Sequence, residues 1–388
     1  MTRDLPYWRL SGFYLFYYAS VGIFVPFWGL YLEYLTFTPS EIGELSALLV
    51  IGRLLAPYIC GWVADHSGER MRVIRFAALG SWLVFIAALY TTHYWSLAVV
   101  MFIYGFFWSA PLPQFEAVTL NHLGDRAHDY TRIRVWGSIG FIVTVIVVGY
   151  VLDEIGLARV PLIALLLTIG IWLSTLIVPN DHATHKHASR EPLSNVLSSS
   201  TVIAMLVAFF LMQVGHGTYY SFYSLYLEKF GYSRALIGQL WALGVIAEVG
   251  LFLIMLRLMN RFSLRNLLMF SLLCATIRWS MIAAFPESRP LVVIAQLLHA
   301  ATFGIHHAVA IQLIHHYFKG KFQGRGQALY SSLSYGAGGA GGALVSGYIW
   351  EGLGAHETFY FAGLVSLLGF IIVWIWVKPD RRITTSAS

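Results

Sequence analysis

Charge is what this chain has least of. Asp, Glu, Lys and Arg make up 11% of its 388 residues, where a soluble domain carries about 25%. With 58% hydrophobic residues, that deficit excludes an ordinary soluble enzyme and points to a polytopic membrane protein. Cysteine is almost missing: Cys60 and Cys274 each sit inside an apolar run, at no spacing that suggests a disulfide or a metal site. No ten-residue alternating pattern of a membrane barrel occurs, which leaves helices as the spanning form. No phosphate loop occurs either. The glycines Gly336, Gly338, Gly339, Gly341 and Gly342 are followed by no Lys-Ser/Thr pair, so ATP is not a direct power source and no cofactor is called for. The net charge of +6 is assigned to loops facing anionic lipid headgroups, not to nucleic acid.

Twelve runs approach the ~20 apolar residues that a membrane helix needs. They are 8–32, 41–63, 73–91, 95–118, 132–152, 160–178, 202–227, 235–257, 265–285, 290–315, 326–349 and 358–377. The run at 8–32 is too long and aromatic for a cleavable signal peptide and is taken as the first span. The longest polar break, 179–200, divides six spans from six. The expected organisation is a six-helix half at 1–178, a cytoplasmic linker at 179–200 and a second half at 201–388. Most of the 25 Lys and Arg residues fall on one side of these spans, and the other side holds only Arg159, Lys229, Arg234 and Arg289. Both termini are therefore expected in the cytoplasm, and the protein in a bacterial inner membrane.

Ionisable groups inside spans carry the functional reading, because each is costly there unless it faces a partner or a wet cavity. Glu116 and Arg134 end two adjacent spans around the polar loop Asn121 to Asp129. They are read either as a substrate-orienting pair or as a static bridge. Glu248 and Arg278 lie deep in later spans and are natural partners, as a proton-and-anion site or a permanent bridge; Arg53 is the other deep cation. His299, Thr302 and His306 share one helix face, and His299 is the candidate proton relay beside Glu248. His307, His315 and His316 are read as packed histidines. Tyr14, Tyr17 and Tyr18 form one mid-span stripe, and His216, Tyr219, Tyr220 and Tyr223 another. Either could line a cavity for a ring-bearing substrate or simply fill a core. The cluster His182, His185 and His187 could bind metal, and the pairs His306-His307 and His315-His316 invite a membrane metalloenzyme reading. Their spread along one helix argues against it, and no metal is expected.

Residues Gly61-Trp-Val-Ala-Asp65-His-Ser-Gly68-Glu-Arg70 resemble the G-x-x-x-D-x-x-G-x-R loop of the major facilitator superfamily. Pro113-Gln-Phe-Glu116 followed by Arg132-Ile-Arg134 is similar to the lactose permease group, where the matching Glu and second Arg bind sugar. Gln213 to Tyr220, Ala247-Glu248-Val249, Ile277-Arg278-Trp279 and Gln296-Leu-Leu-His299-Ala-Ala-Thr302-Phe303 resemble the phenylpropionate permease family. The sugar permeases have a lysine where this chain has Gln296 and an acid where it has Thr302, which argues against their sugar mechanism. The resemblance implies an all-α membrane protein of twelve helices in two halves, working by alternating access, and a monomer is expected. Its partners would be a small-molecule substrate and a proton. A small aromatic or other monocarboxylate is the expected substrate, a nucleoside or sugar the runner-up, and export remains open.

Overall fold

The computed structural model describes residues 5–180 and 194–378. The histidines at 182, 185 and 187, with most of the expected linker, lie outside the described residues. Ten helical stretches among the described residues are long and apolar enough to cross a membrane. One of them, Tyr94–Ile155, is 62 residues and holds two spans, and a further helix at 323–352 completes twelve. In chain order these are α1 Tyr7–Tyr34, α2 Pro39–Ser67, α3 Arg70–Leu89, α4 94–123, α5 Tyr130–Ile155 and α6 Leu157–Leu176. There follow α7 Ser200–Lys229, α8 Arg234–Phe252, α9 Leu264–Ala284, α10 Arg289–Tyr317, α11 323–352 and α12 Ala355–Trp376. The expected polar loop from Asn121 is shorter than read: the helix runs on to Leu123, and a 3₁₀ turn covers Gly124–Asp129.

Local chemistry sets the ends. Thr38 accepts a hydrogen bond from the Glu41 amide while the Glu41 carboxylate accepts from the Thr38 amide, and Pro39 opens the first turn of α2. At the other end Gly68 takes φ +68°, a left-handed conformation that glycine adopts without strain. Asp65 and Arg70 pair across this turn at 3.1 Å, and a side chain at Gly61 would meet Gln114 of α4. The loop motif is thus a helix stop tied by an ion pair.

The chain divides into two compact units. The first contains α1–α6 together with Gly231–Ala242 at the start of α8; the second contains α7, the rest of α8 and α9–α12. Within the first, α1 packs on α5 and α6, α2 on α4, and α3 on α4 and α6. The start of α8 is fixed there by Asp153 of α5, whose carboxylate accepts from the amides of Arg234 at 2.9 Å and Ala235 at 3.0 Å. Those amides are ones a helix N-terminus leaves unsatisfied. Within the second unit, α7 packs on α11 and α12, and α9 on α10 and α12. The glycine ladder of α11 has a specific use: a Cβ at Gly342 would strike the backbone at Val214, and one at Gly217 the backbone around Gly339. Small residues let these two helices meet backbone to backbone.

Candidate functional site

The second unit closes on Arg278 of α9, which is fully buried. A guanidinium only donates hydrogen bonds. Nη1 donates to Nδ1 of His299 at 3.1 Å and to Oγ1 of Thr302 at 3.0 Å, and Nη2 donates to Oε1 of Gln296 at 2.8 Å. These three acceptors come from one helix, α10, around the π-helical turn Ala300–Ile305. The rings of Tyr219 and Trp279 each lie 4.3 Å from the guanidinium carbon. Gln296 is held in turn by Tyr219, whose hydroxyl receives its amide N–H at 3.0 Å. Every direct partner of this buried cation is neutral, and its Nε finds no acceptor among the described residues.

The acid stands one step further away. Because Nδ1 of His299 accepts from Arg278, the ring proton belongs on Nε2, and Nε2 faces Oε2 of Glu248 at 3.7 Å. The order is therefore Arg278, His299, Glu248. The direct Glu248–Arg278 partnership read from the sequence is replaced by an imidazole between them. The packing explains it: Gly244 of α8 leaves the His299 ring its room, and Gly304 of α10 leaves room for the Glu248 stem. The α7 stripe does gather here. His216 lies 5.4 Å from Trp279 and 6.2 Å from His299, Tyr220 is 5.8 Å from His216, and Tyr223 is 4.9 Å from Tyr219, all between ring centres.

The first unit holds a looser cluster. Arg134 of α5 donates to the Tyr18 hydroxyl and lies over the rings of Tyr18 and Tyr14, at 4.0 and 5.6 Å. Glu116 is within electrostatic reach of Arg134 and beside the Tyr130 hydroxyl. The two opposite charges make no contact ion pair among the described residues, which is not the static bridge that was one of the two expectations; the tyrosines occupy the guanidinium instead. Tyr17 is 2% exposed and stacked on Trp108. Arg53, exposed, lies over the same Trp108 ring at 5.2 Å. His307 accepts or donates at 2.8 Å with Tyr335, while His315 is exposed rather than packed. Among the described residues no three of His, Cys, Asp and Glu gather to hold a metal ion. Sequence reasoning gave Trp279 no role, since neighbours in sequence do not face each other on a helix surface; here it reaches the guanidinium by flanking it.

Twelve helices among the described residues, in two units that each lay an arginine on aromatic rings, make a multi-pass membrane protein. A family model described as the MFS_1-like family matches residues 7–361, and the chain belongs to that family of the major facilitator superfamily. It is 30% identical over 368 residues to the probable 3-phenylpropionic acid transporter of Escherichia coli K12, covering 93% of this chain and 95% of that one. It is 24% identical over 373 residues to the maltose permease of Geobacillus stearothermophilus, covering 95% and 94%. A crystal structure of a point mutant of the nucleoside transporter NupG superposes with a TM-score of 0.86 at 18% identity, over 96% of this chain and 100% of that one, a likeness of fold.

Proposed function

We propose that the chain is a proton-coupled symporter of a small aromatic monocarboxylate. The observation that carries this reading is Arg278, a fully buried guanidinium whose contacts are all neutral. A buried charge without a counter-charge in contact is costly, and an entering carboxylate removes that cost while taking two parallel N–H···O bonds. The faces of Tyr219 and Trp279, with Tyr220 and Tyr223 beyond, suit a substrate that carries a ring. The similarity to a probable 3-phenylpropionic acid transporter supports the same substrate class.

Coupling follows from the hydrogen bonds. While Arg278 donates to Nδ1 of His299, that nitrogen holds no proton. A carboxylate that draws Nη1 away frees Nδ1 to take one, and Glu248 faces the other nitrogen to balance the charge. Anion and proton then enter as a neutral set, each favouring the other. The Lys/Arg asymmetry supports cytoplasmic termini in a bacterial inner membrane; strong labelling of a cysteine at position 185 from outside intact cells would overturn that orientation.

The test is a thermal-shift screen of purified protein against aryl-alkanoic acids, nucleosides and sugars. A ligand at 100 times its dissociation constant stabilises by about 2.7 kcal/mol. Aromatic acids should give the shift and neutral sugars none. A shift from nucleosides or sugars alone would refute the anion reading.

A further inference from the structure

Three helices of the second unit carry buried polar atoms that meet no protein partner. They are Nε2 of Gln213 and Nε2 of His216 on α7, both ring nitrogens of His306 on α10, and Oγ of Ser334 on α11. All four side chains are 2% exposed or less. Buried polar groups are ordinarily hydrogen-bonded, and several orphans side by side require an explanation.

They form one seam. Gln213 and His216 are three residues apart on α7, one turn, and Phe209 lies a turn before Gln213. The ring of Phe209 meets both His306 at 5.4 Å and Tyr330 at 5.3 Å, which ties the start of α11 to His306. One to two turns later on α11, a Cβ at Gly338 would touch Cβ of Gln213 at 3.1 Å. Ser334 sits between these two levels, in the π-helical turn Ser331–Gly338. His216 in turn is 6.2 Å from His299, between ring centres. The seam thus starts beside the Arg278 cluster and runs along α10 to His306, seven residues past His299. Since Nδ1 of His216 donates to the Met212 carbonyl at 2.9 Å, its Nε2 is an acceptor. Gln213 Nε2 offers donors, and Ser334 and His306 can do either.

We infer that this seam binds internal water, and that the water makes His306 a second proton-carrying imidazole, joined through His216 to His299. Water can both donate to the Nε2 of His216 and accept from Gln213 Nε2. A proton leaving His299 passes along the water by way of His306. The titratable groups facing His306 are His216 from α7, His307 from its own helix and Tyr330 from α11. None is a carboxylic acid, so the proton is not trapped there by a contact ion pair. The relay rests on the proposed proton coupling; the bound water does not.

Two measurements separate these. In wild-type protein, brief X-ray radiolysis generates hydroxyl radicals only where water resides, and mass spectrometry should find oxidation at His306 or Phe209 despite their burial. No oxidation there, with normal labelling of exposed loops, overturns the water. In proteoliposomes, His306→Gln should keep counterflow of preloaded aromatic acid within about twofold of wild type. Uptake driven by a pH gradient should fall on the order of a hundredfold, the low end of what a positioned proton-transfer group supplies. Equal loss in both assays shows a packing role and overturns the relay, as does uptake unchanged in the variant. If wild type shows no gradient-driven uptake at all, the coupling reading fails and the relay with it, whatever radiolysis reports of the water.

Discussion

Arg134 and Arg278 are both laid over tyrosine rings, one in each unit, and they differ in what their nitrogens can count on. Arg134 is half-buried, donates to a phenol and has Glu116 within electrostatic reach. Arg278 is fully buried, donates to three neutral acceptors, and its acid lies behind an imidazole. Cation–π contact offsets part of the cost of burial in both, by about 0.5–2 kcal/mol. Only Arg278 is left with a charge that no contact neutralises. The contrast teaches that an arginine inside a membrane is not one thing: the first is stabilised where it stands, and the second is set up to gain an anion.

The sharpest way to break the comparison is to remove each charge. Arg278→Gln should weaken aromatic-acid binding by about 2–5 kcal/mol, roughly 30- to 5,000-fold, and leave insertion and folding intact. Arg134→Gln should cost less than about tenfold, since its charge is already served. Titration calorimetry on both variants decides it; equal losses would erase the distinction. Next in size is Thr302→Asp, which supplies the missing counter-charge at a position now 3.0 Å from Nη1. An internal carboxylate competes with the substrate's own, so binding should fall by about 1–3 kcal/mol at neutral pH, while Thr302→Asn controls for size. An Asp variant that binds acid as wild type does would show that Arg278 is not waiting for an anion.

How much of this was legible in the sequence depends on what kind of contact carried it. The spans were, because every membrane helix must satisfy its own backbone and so announces itself as an apolar run. The end of α4 was not: Pro111 opens a fresh helical segment that continues through polar Asn121 and His122 to Leu123. Arg278, Glu248 and His299 stood out as ionisable residues in apolar runs, but their order did not. Spacing along α8, α9 and α10 says nothing of how each helix is rotated, and it is Gly244 and Gly304 that let His299 stand between the two charges. For the same reason the sequence left open whether Glu116 and Arg134 touch, and Tyr18 and Tyr14 hold the guanidinium instead.

A third prediction sharpens the role of the acid that Arg278 does not touch. Glu248→Gln keeps a hydrogen-bond acceptor for Nε2 of His299 but removes the charge that balances a protonated imidazole. Substrate binding and counterflow should change by less than about tenfold, while accumulation driven by a pH gradient should disappear. Uptake into proteoliposomes, with and without the gradient, makes the measurement. Undiminished accumulation by the variant would pass the coupling role from Glu248 to His299 alone.

The smallest expected effect tests whether the two units are built alike away from the site. In the first, Arg75 of α3 donates through Nε to the Thr175 carbonyl at 3.2 Å and through Nη2 to that of Val178 at 2.8 Å. In the second, Arg265 of α9 donates through Nε to the Val377 carbonyl at 2.6 Å and through Nη2 to that of Trp374 at 2.8 Å. Each arginine thus bridges two carbonyls three residues apart at the end of the last helix of its unit, with the fork turned over between the two. Thr175 and Trp374 are in the last turn of their helices, whose carbonyls lack intrahelical partners, Val178 and Val377 lie just past the end, and a cation there also meets the negative end of the helix dipole. Both side chains are only partly buried, so solvent screening trims the charged hydrogen bonds to about 1–2 kcal/mol per arginine. Arg75→Gln and Arg265→Gln should therefore lower the melting temperature by similar small amounts, leaving acid binding by the folded fraction unchanged. A loss confined to one of them would mean that the shared geometry stabilises only one unit, and that the likeness of the halves ends at the outline of their helices.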